Sequence, residues 1–342
     1  MKKVNWGIIG LGAVASQFAQ GFKYTKNANL LGIASRDNHK LLKFRDIYNI
    51  QKKYCYDNYK TLIKDENIQA IYIALPTSLH YEWISYSLKN NKKVLVEKPA
   101  TMNSIEAVNI KKNFLKPNSF FTEAFMYLYH PQISKVIEII KSDEIGELIS
   151  MESSFGQNIL TKKNIFGFKK KKKINPENRL YNKLMGGGAI LDLGCYPISL
   201  STLIASLKSE IDYKNIKLLN KKIEIGTTDV DIDSYVELEF NNDFKSKISA
   251  SFTKDLGKKT IIIGTKGEII LEDTWTASAK NILIKKNNIE KLIEIKNIFN
   301  IYYHQIEVVS ESILNNRTKL NFPILTVDQT IQNMKIIDEW LS

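Results

Sequence analysis

The chain has 342 residues, 44% of them apolar and 25% charged, with 49 lysines and arginines against 36 acids and a formal net charge of +13. This length and composition suit two globular domains with large apolar cores and exclude a disordered or fibrous polymer. Two distant cysteines, Cys55 and Cys195, and four scattered histidines argue against a disulfide scaffold or a metal centre, and lysines spread along the chain without a nucleic-acid module argue against nucleic-acid binding.

The opening "MKKVNWGIIGLGAVASQFAQ" has the lysines and apolar run of a signal peptide, but Asn5 and three spaced glycines break that pattern. A cytoplasmic location without a membrane partner is expected, since no later segment reaches the ~18 uninterrupted apolar residues of a membrane span. From residue 3 to 125 short apolar runs alternate with helical periods: "KVNWGIIG", "NLLGIAS", "QAIYIAL", "KKVLVE" and "NSFFTEAF" as strands, with a helix after each of the first four. That order predicts an α/β fold, a parallel sheet with helices on both faces, because parallel strands need crossovers long enough to hold a helix.

After residue 125 the pattern changes. A helix, "QISKVIEIIKS", precedes the alternating strand "GELISMESSFGQ". A polar loop with Lys169–Lys173 follows; it reads as a solvated loop, with attraction of an anionic substrate as the alternative. "GGGAILDLGCYP" opens an apolar helix, and Pro197 is expected to kink or displace that helix locally after Tyr196. Residues 212–295 read mostly as antiparallel strands such as "DSYVELEF" and "KSKISASF", and helices near 300–315 and 326–341 end the chain. The division predicted is residues 1–125 for a dinucleotide-binding domain and 126–342 for a substrate and oligomerisation domain, the last helix packing back toward the first.

Three stretches carry chemistry. "GLGAVA" is Gly10-x-Gly12-x-x-Ala15 between a strand and a helix, where Gly10 permits the turn, Gly12 admits a pyrophosphate, Ala15 allows close packing, and the backbone from Ala13 and Val14 offers N–H donors. The second strand ends in Ser35 and Arg36, with Asp37 after them. An acid at that tip binds the ribose hydroxyls of NAD and an arginine accepts a 2′-phosphate, so NADP is favoured over NAD. "VLVEKPA" sets Glu97 and Lys98 at the carboxyl end of a strand in the same sheet, where open α/β sheets bind ligands.

Together, "GLGAVA", "ALPTSLHYEW" (Leu75, Pro76, Thr77, His80), "VEKPA", "EAFMYLYHPQ" and "GGGAILDLGCYP" resemble the Gfo/Idh/MocA family of NAD(P)-dependent oxidoreductases over essentially the whole chain. The resemblance implies an N-terminal Rossmann parallel sheet and a C-terminal α/β domain whose large, open, mainly antiparallel sheet forms a homodimer or homotetramer interface. It also implies a kinked, cis Lys98–Pro99 peptide. Where many members have Asp-x-x-x-His, this chain has Asp192-x-x-x-Tyr196, similar to a tyrosine branch that includes dihydrodiol and xylose dehydrogenases, glucose-fructose oxidoreductase and deoxysugar ketoreductases. That implies Tyr196 as acid/base, Lys98 polarising the oxygen and Asp192 orienting substrate or lysine. A phenol of pKa about 10 is a poor base at neutral pH, and a neighbouring ammonium lowers it.

The expected function is hydride transfer between NAD(P) and a sugar, nucleotide sugar or polyol. The alternatives are an NAD-dependent glycosidase on the same fold and a non-catalytic NAD(P)-binding sensor. Tyr127 and His130 are candidate pocket residues, with core packing as the alternative. Leu128 stands where many tyrosine-branch relatives have arginine, and His80 reads as a cap or cofactor neighbour. Cys195 reads as packing.

Overall fold

The computed structural model describes residues 2–163, 169–277, 281–296 and 299–342; within Lys169–Lys173, the side chains of Lys169 and Lys171 lie outside the described part. It divides into two compact units, Met1–His130 with Ile298–Ile331, and Pro131–Asn297 with Gln332–Ser342.

The first unit runs β1 (Val4–Ile9), α1 (Ala13–Gly21), β2 (Ala28–Ala34), α2 (Asn38–Tyr48), β3 (Cys55–Tyr56), α3 (Tyr59–Lys64), β4 (Ala70–Ile73), α4 (His80–Lys89), β5 (Lys93–Val96), α5 (Ser104–Phe114) and β6 (Phe121–Glu123). All six strands are parallel, in the order β3-β2-β1-β4-β5-β6. Continuous apolar runs such as "AIYI" are buried because helices cover both faces. The order reverses between β1 and β4, which opens a crevice at the carboxyl ends of those strands. The short β3 and α3 gave no readable period.

The second unit contains α6 (Pro131–Lys141), β7 (Leu148–Gly156), the small pair β8 (Thr161–Lys163) and β9 (Lys169–Lys171), then α7 (Cys195–Lys208). It continues with β10 (Lys217–Ile225), β11 (Asp231–Glu239), β12 (Lys245–Ser251), β13 (Thr260–Gly264), β14 (Glu268–Leu271), β15 (Asn281–Lys286) and β16 (Ile289–Glu294). Eight strands form one sheet, β10-β11-β12-β7-β13-β14-β15-β16, antiparallel except where β12 meets β7. Helix α7 packs on β7 and β12, and Met151 and Ile248 are fully buried.

Two helices close the chain, α8 (Ile301–Leu314) and α9 (Val327–Leu341). Residues 298–331 belong to the first unit and 332–342 to the second, where the sequence reading gave 126–342 to the second domain with the last helix packing back toward the first. The cause is an aromatic face on β1 and α1 that needs a cover. The Trp6 indole donates to Ser310 Oγ at 2.9 Å, and Phe18 meets Tyr302 edge-on at 6.1 Å. Gly21 admits the α8 backbone so closely that a Cβ there would stand 3.0 Å from the Tyr303 nitrogen.

Candidate functional site

At the first turn, Gly10 follows β1 with φ +86° and donates its N–H to the Ala34 carbonyl at 3.1 Å. A Cβ on it would lie 2.4 Å from the Ala74 oxygen, so only glycine fits. A Cβ on Gly12 would meet nothing within 4 Å. No side chain caps α1 and no acid occupies its first turn. The helix therefore presents uncapped N–H groups beside open space at Gly12, with Ala13 exposed, Val14 half-buried and Ala15 packed inward. This donor set fits a pyrophosphate. Gly10→Ala is expected to cost about 2 kcal/mol through left-handed strain and the clash, and to weaken NADPH binding at least about tenfold. Thermal unfolding and nicotinamide fluorescence read the two effects.

At the tip of β2, the buried Ser35 hydroxyl accepts the Asp37 N–H at 3.1 Å. Arg36 is exposed, its guanidinium 5.9 Å from the Tyr59 ring centre. Asp37 caps α2, its Oδ1 accepting the Lys40 N–H at 3.1 Å, and that bond holds its carboxyl below the usual range. The acid of "SRD" is thus engaged with its own helix, and Ser35 and Arg36 remain at the tip.

Leu75, Pro76 and the buried Thr77 follow β4. His80 is 1% exposed. Its Nε2 lies 2.9 Å from the Leu75 carbonyl and its Nδ1 2.9 Å from the Pro99 carbonyl. The ring thus braces the loop after β4 against the turn after β5. Lys98–Pro99 is cis. The Glu97 N–H donates to Ile73 O at 3.0 Å, and its carboxylate accepts from the Tyr72 hydroxyl, whose ring stacks on Phe18. Tyr127, Leu128 and His130 are buried, with the His130 ring perpendicular to His304 at 5.5 Å.

The sequence reading missed Glu123 at the end of β6. It is 3% exposed, its Oε1 accepting the Ala100 N–H at 2.8 Å and its Oε2 the Thr330 hydroxyl at 2.9 Å. Burial pushes its carboxyl up to about 7 against those two hydrogen bonds and the Lys98 charge, which pull it down. An acid inside the apolar run "SFFTEAF" was the available signal.

In the second unit, two of the glycines that open "GGGAILDLGCYP" admit neighbours. A Cβ on Gly187 would lie 2.7 Å from Arg179 O and 2.8 Å from Asn182 N; one on Gly188, at φ +115°, would lie 2.1 Å from Asp231 Oδ1. Asp231, the first residue of β11, is buried, and its Oδ2 accepts the Ile190 N–H at 2.7 Å, capping the helix start. Burial pushes its carboxyl up to about 6.

The local kink or displacement expected after Tyr196 is found at another place. The irregularity lies before it, as a wide π turn over Ile190–Gly194, and α7 begins at Cys195. Pro197 is the third residue of α7 and follows directly on the π turn through helical backbone at Gly194, a wider turn of the kind that accommodates a proline's missing N–H and ring.

Asp192 lies in the π turn and pairs through Oδ1 with Arg179 Nη1 at 3.1 Å. Arg179, a lone arginine in a polar loop, gave no sequence signal. Tyr196 is 4% exposed, its ring 5.3 Å from Phe155 and 5.6 Å from Trp275. The Trp275 indole donates to Ser154 O at 2.9 Å, which fixes that wall. Cys195 is buried, as packing requires.

Residues 4–124 match the family model described as "Oxidoreductase family, NAD-binding Rossmann fold", and residues 133–270 match "GFO/IDH/MocA C-terminal domain". A trans-1,2-dihydrobenzene-1,2-diol dehydrogenase of Xenopus laevis is 28% identical over 77% of this chain and 74% of its own. A dTDP-3,4-didehydro-2,6-dideoxy-alpha-D-glucose 3-reductase of Saccharopolyspora spinosa is 24% identical over 82% of this chain and 77% of its own. In fold, a 3-ketoreductase from Actinomadura kijaniata, solved with NADP and TDP-benzene, superposes with a TM-score of 0.81 at 20% identity, covering 98% of this chain and 96% of that one.

Proposed function

The chain belongs to the Gfo/Idh/MocA family of NAD(P)-dependent oxidoreductases, and on that premise we propose that it exchanges a hydride between NADP and a secondary alcohol or ketone of a sugar, nucleotide sugar or related cyclic polyol. The observation that carries the reading is the combination in the first unit of an uncapped α1 N-terminus beside open space at Gly12 with Lys98 at the carboxyl end of β5 in the same sheet. The substrate class draws on relatives whose names specify a cyclic diol, a deoxysugar nucleotide and D-xylose. Each such compound has a carbinol or carbonyl carbon next to another oxygenated carbon.

The cofactor supplies the hydride acceptor or donor. The backbone of Gly10–Ala15 would hold its pyrophosphate, and Ser35 and Arg36 would hold the 2′-phosphate. Lys98 polarises the reacting oxygen. Tyr196 hands the hydroxyl proton to the alkoxide in reduction and takes it back in oxidation. Asp192, paired with Arg179, orients the polar face of the substrate. The aromatic wall of Phe155 and Trp275 fixes the Tyr196 ring, which limits the geometric freedom of the proton transfer.

Titration of NADPH and NADH into the purified protein tests the cofactor assignment. Arg36→Ala is expected to weaken NADPH about tenfold, the worth of one charge-assisted contact, and to leave NADH nearly unchanged. A variant that loses both cofactors equally would remove Arg36 from the phosphate site. Screening cyclic diols, aldoses and nucleotide-linked ketosugars at saturating cofactor then tests the substrate class through nicotinamide absorbance. Bond cleavage in a glycoside without net absorbance change would replace the dehydrogenase reading with a glycosidase.

A further inference from the structure

We propose that Glu123 is the positioning residue of Lys98, holding the Lys98–Pro99–Ala100 turn from the neighbouring strand and supplying a counter-charge to the ammonium. The inference rests on Lys98 being the group that polarises the substrate oxygen. Strand register sets the arrangement. β6 pairs with β5 so that Glu123 stands opposite Val96, and the Ala124 N–H donates to Val96 O at 2.8 Å. The side chain at 123 is therefore level with the point where the "EKPA" turn leaves the sheet. One carboxylate oxygen takes the Ala100 N–H and the other the Thr330 hydroxyl, which ties the turn to the first turns of α9.

The two partners differ in what they allow. A backbone N–H only donates, so Oε1 must stay an acceptor. A threonine hydroxyl donates or accepts, so Oε2 keeps its partner whether or not it carries a proton. Burial pushes the acid up to about 7, and the Lys98 charge acts on it in the opposite direction. By reciprocity the carboxylate stabilises the lysine cation. Neither Ala100 nor Thr330 needs a charge, and a buried carboxylate is costly unless a cation compensates it.

Glu97 pushes the Glu123 acid up, and its own carboxylate accepts from Tyr72. Tyr302 of α8 is raised by burial and by the Glu97 charge, and Tyr129 by burial and the Glu123 charge. His80 of α4 reaches the turn through the Pro99 carbonyl.

Competitive acetylation of Lys98 with acetic anhydride across the alkaline range, read by mass spectrometry on the full chain, measures its titration midpoint without any turnover. In Glu123→Gln, which keeps the shape and removes the charge, the midpoint is expected to fall by about one pH unit. Glu123→Asp, which keeps the charge, is expected to return it toward the wild-type value. Thr330→Val removes one hydrogen bond from the carboxylate and is expected to move the midpoint the same way by less; it carries the test alone if Glu123→Gln fails to fold. A wild-type midpoint in the folded charge-neutral variant, or a fall shared equally by the surface lysines, overturns the proposal. Because labelling needs no substrate, a failed substrate screen counts against the proposed reaction and leaves this result readable.

Discussion

Lys98→Ala is expected to lower turnover by about a hundred- to ten-thousandfold, the range one acid–base or polarising group supplies, while NADPH still binds within about threefold of wild type. The dissociation follows from where the binding contacts lie. The candidate phosphate contacts are the Gly10–Ala15 backbone and Ser35 with Arg36, on β1 and β2, whereas Lys98 follows β5. Tyr196→Phe is expected to show the same split, since it deletes one hydroxyl and keeps the ring against Phe155 and Trp275. Single-turnover absorbance with NADPH, beside fluorescence titration, measures both quantities. Near-normal turnover in Tyr196→Phe would end its assignment as the acid/base. Loss of NADPH binding in Lys98→Ala would make the lysine a binding residue.

The second large effect is expected at Gly188. A Cβ there would stand 2.1 Å from Asp231 Oδ1 on a backbone at φ +115°. Gly188→Ala must therefore push the carboxylate off the helix start or unwind the turn. It is expected to cost about 3 kcal/mol, combining left-handed strain with loss of the cap. Turnover is expected to fall with it, since Asp192 and Tyr196 ride on the segment that Asp231 caps, while the phosphate loop of the first unit keeps its own geometry.

Asp231 adds a pH signature to this prediction. Its folded pKa, about 6, lies above the ordinary 3.8, so the native state holds the proton more tightly than the unfolded chain. Its contribution to stability is then full below 3.8 and is lost as pH rises through about 6. Asp231→Asn cannot ionise. The stability of wild type relative to that variant is thus expected to fall by about 3 kcal/mol between acid and neutral pH, whatever their difference at either end. Denaturant unfolding at several pH values measures it, and parallel curves would mean that Asp231 titrates as it does in the unfolded chain.

Much of the first unit was legible because its signals are local. A buried parallel strand needs a continuous apolar run, a crossover helix needs its own period, and a phosphate turn needs glycine where a Cβ would strike the Ala74 carbonyl. Those requirements fall within a few residues of each other, so "GLGAVA", "SRD" and "VEKPA" could be placed at strand ends from the sequence alone. The resemblance to a known family then supplied roles for Lys98, Asp192 and Tyr196 that residue patterns by themselves do not assign.

What the sequence could not decide depends on partners distant in the chain. The helical period of 301–314 announces a buried face, but it does not say that Trp6, Phe18 and Gly21 are what covers it. Asp231 lies 41 residues from the helix it caps and Glu123 lies 207 residues from Thr330; a lone acid in a strand looks the same whether it meets water or a buried N–H. Pro197 announced a local irregularity in the helix, but not that it would be a π turn lying before Tyr196. Local backbone preference and apolar periodicity thus fixed the elements and the phosphate loop. Only tertiary packing, through the cost of leaving a buried polar group without a partner, decided which carboxylates brace the turn after β5 and the start of the helix that carries Tyr196.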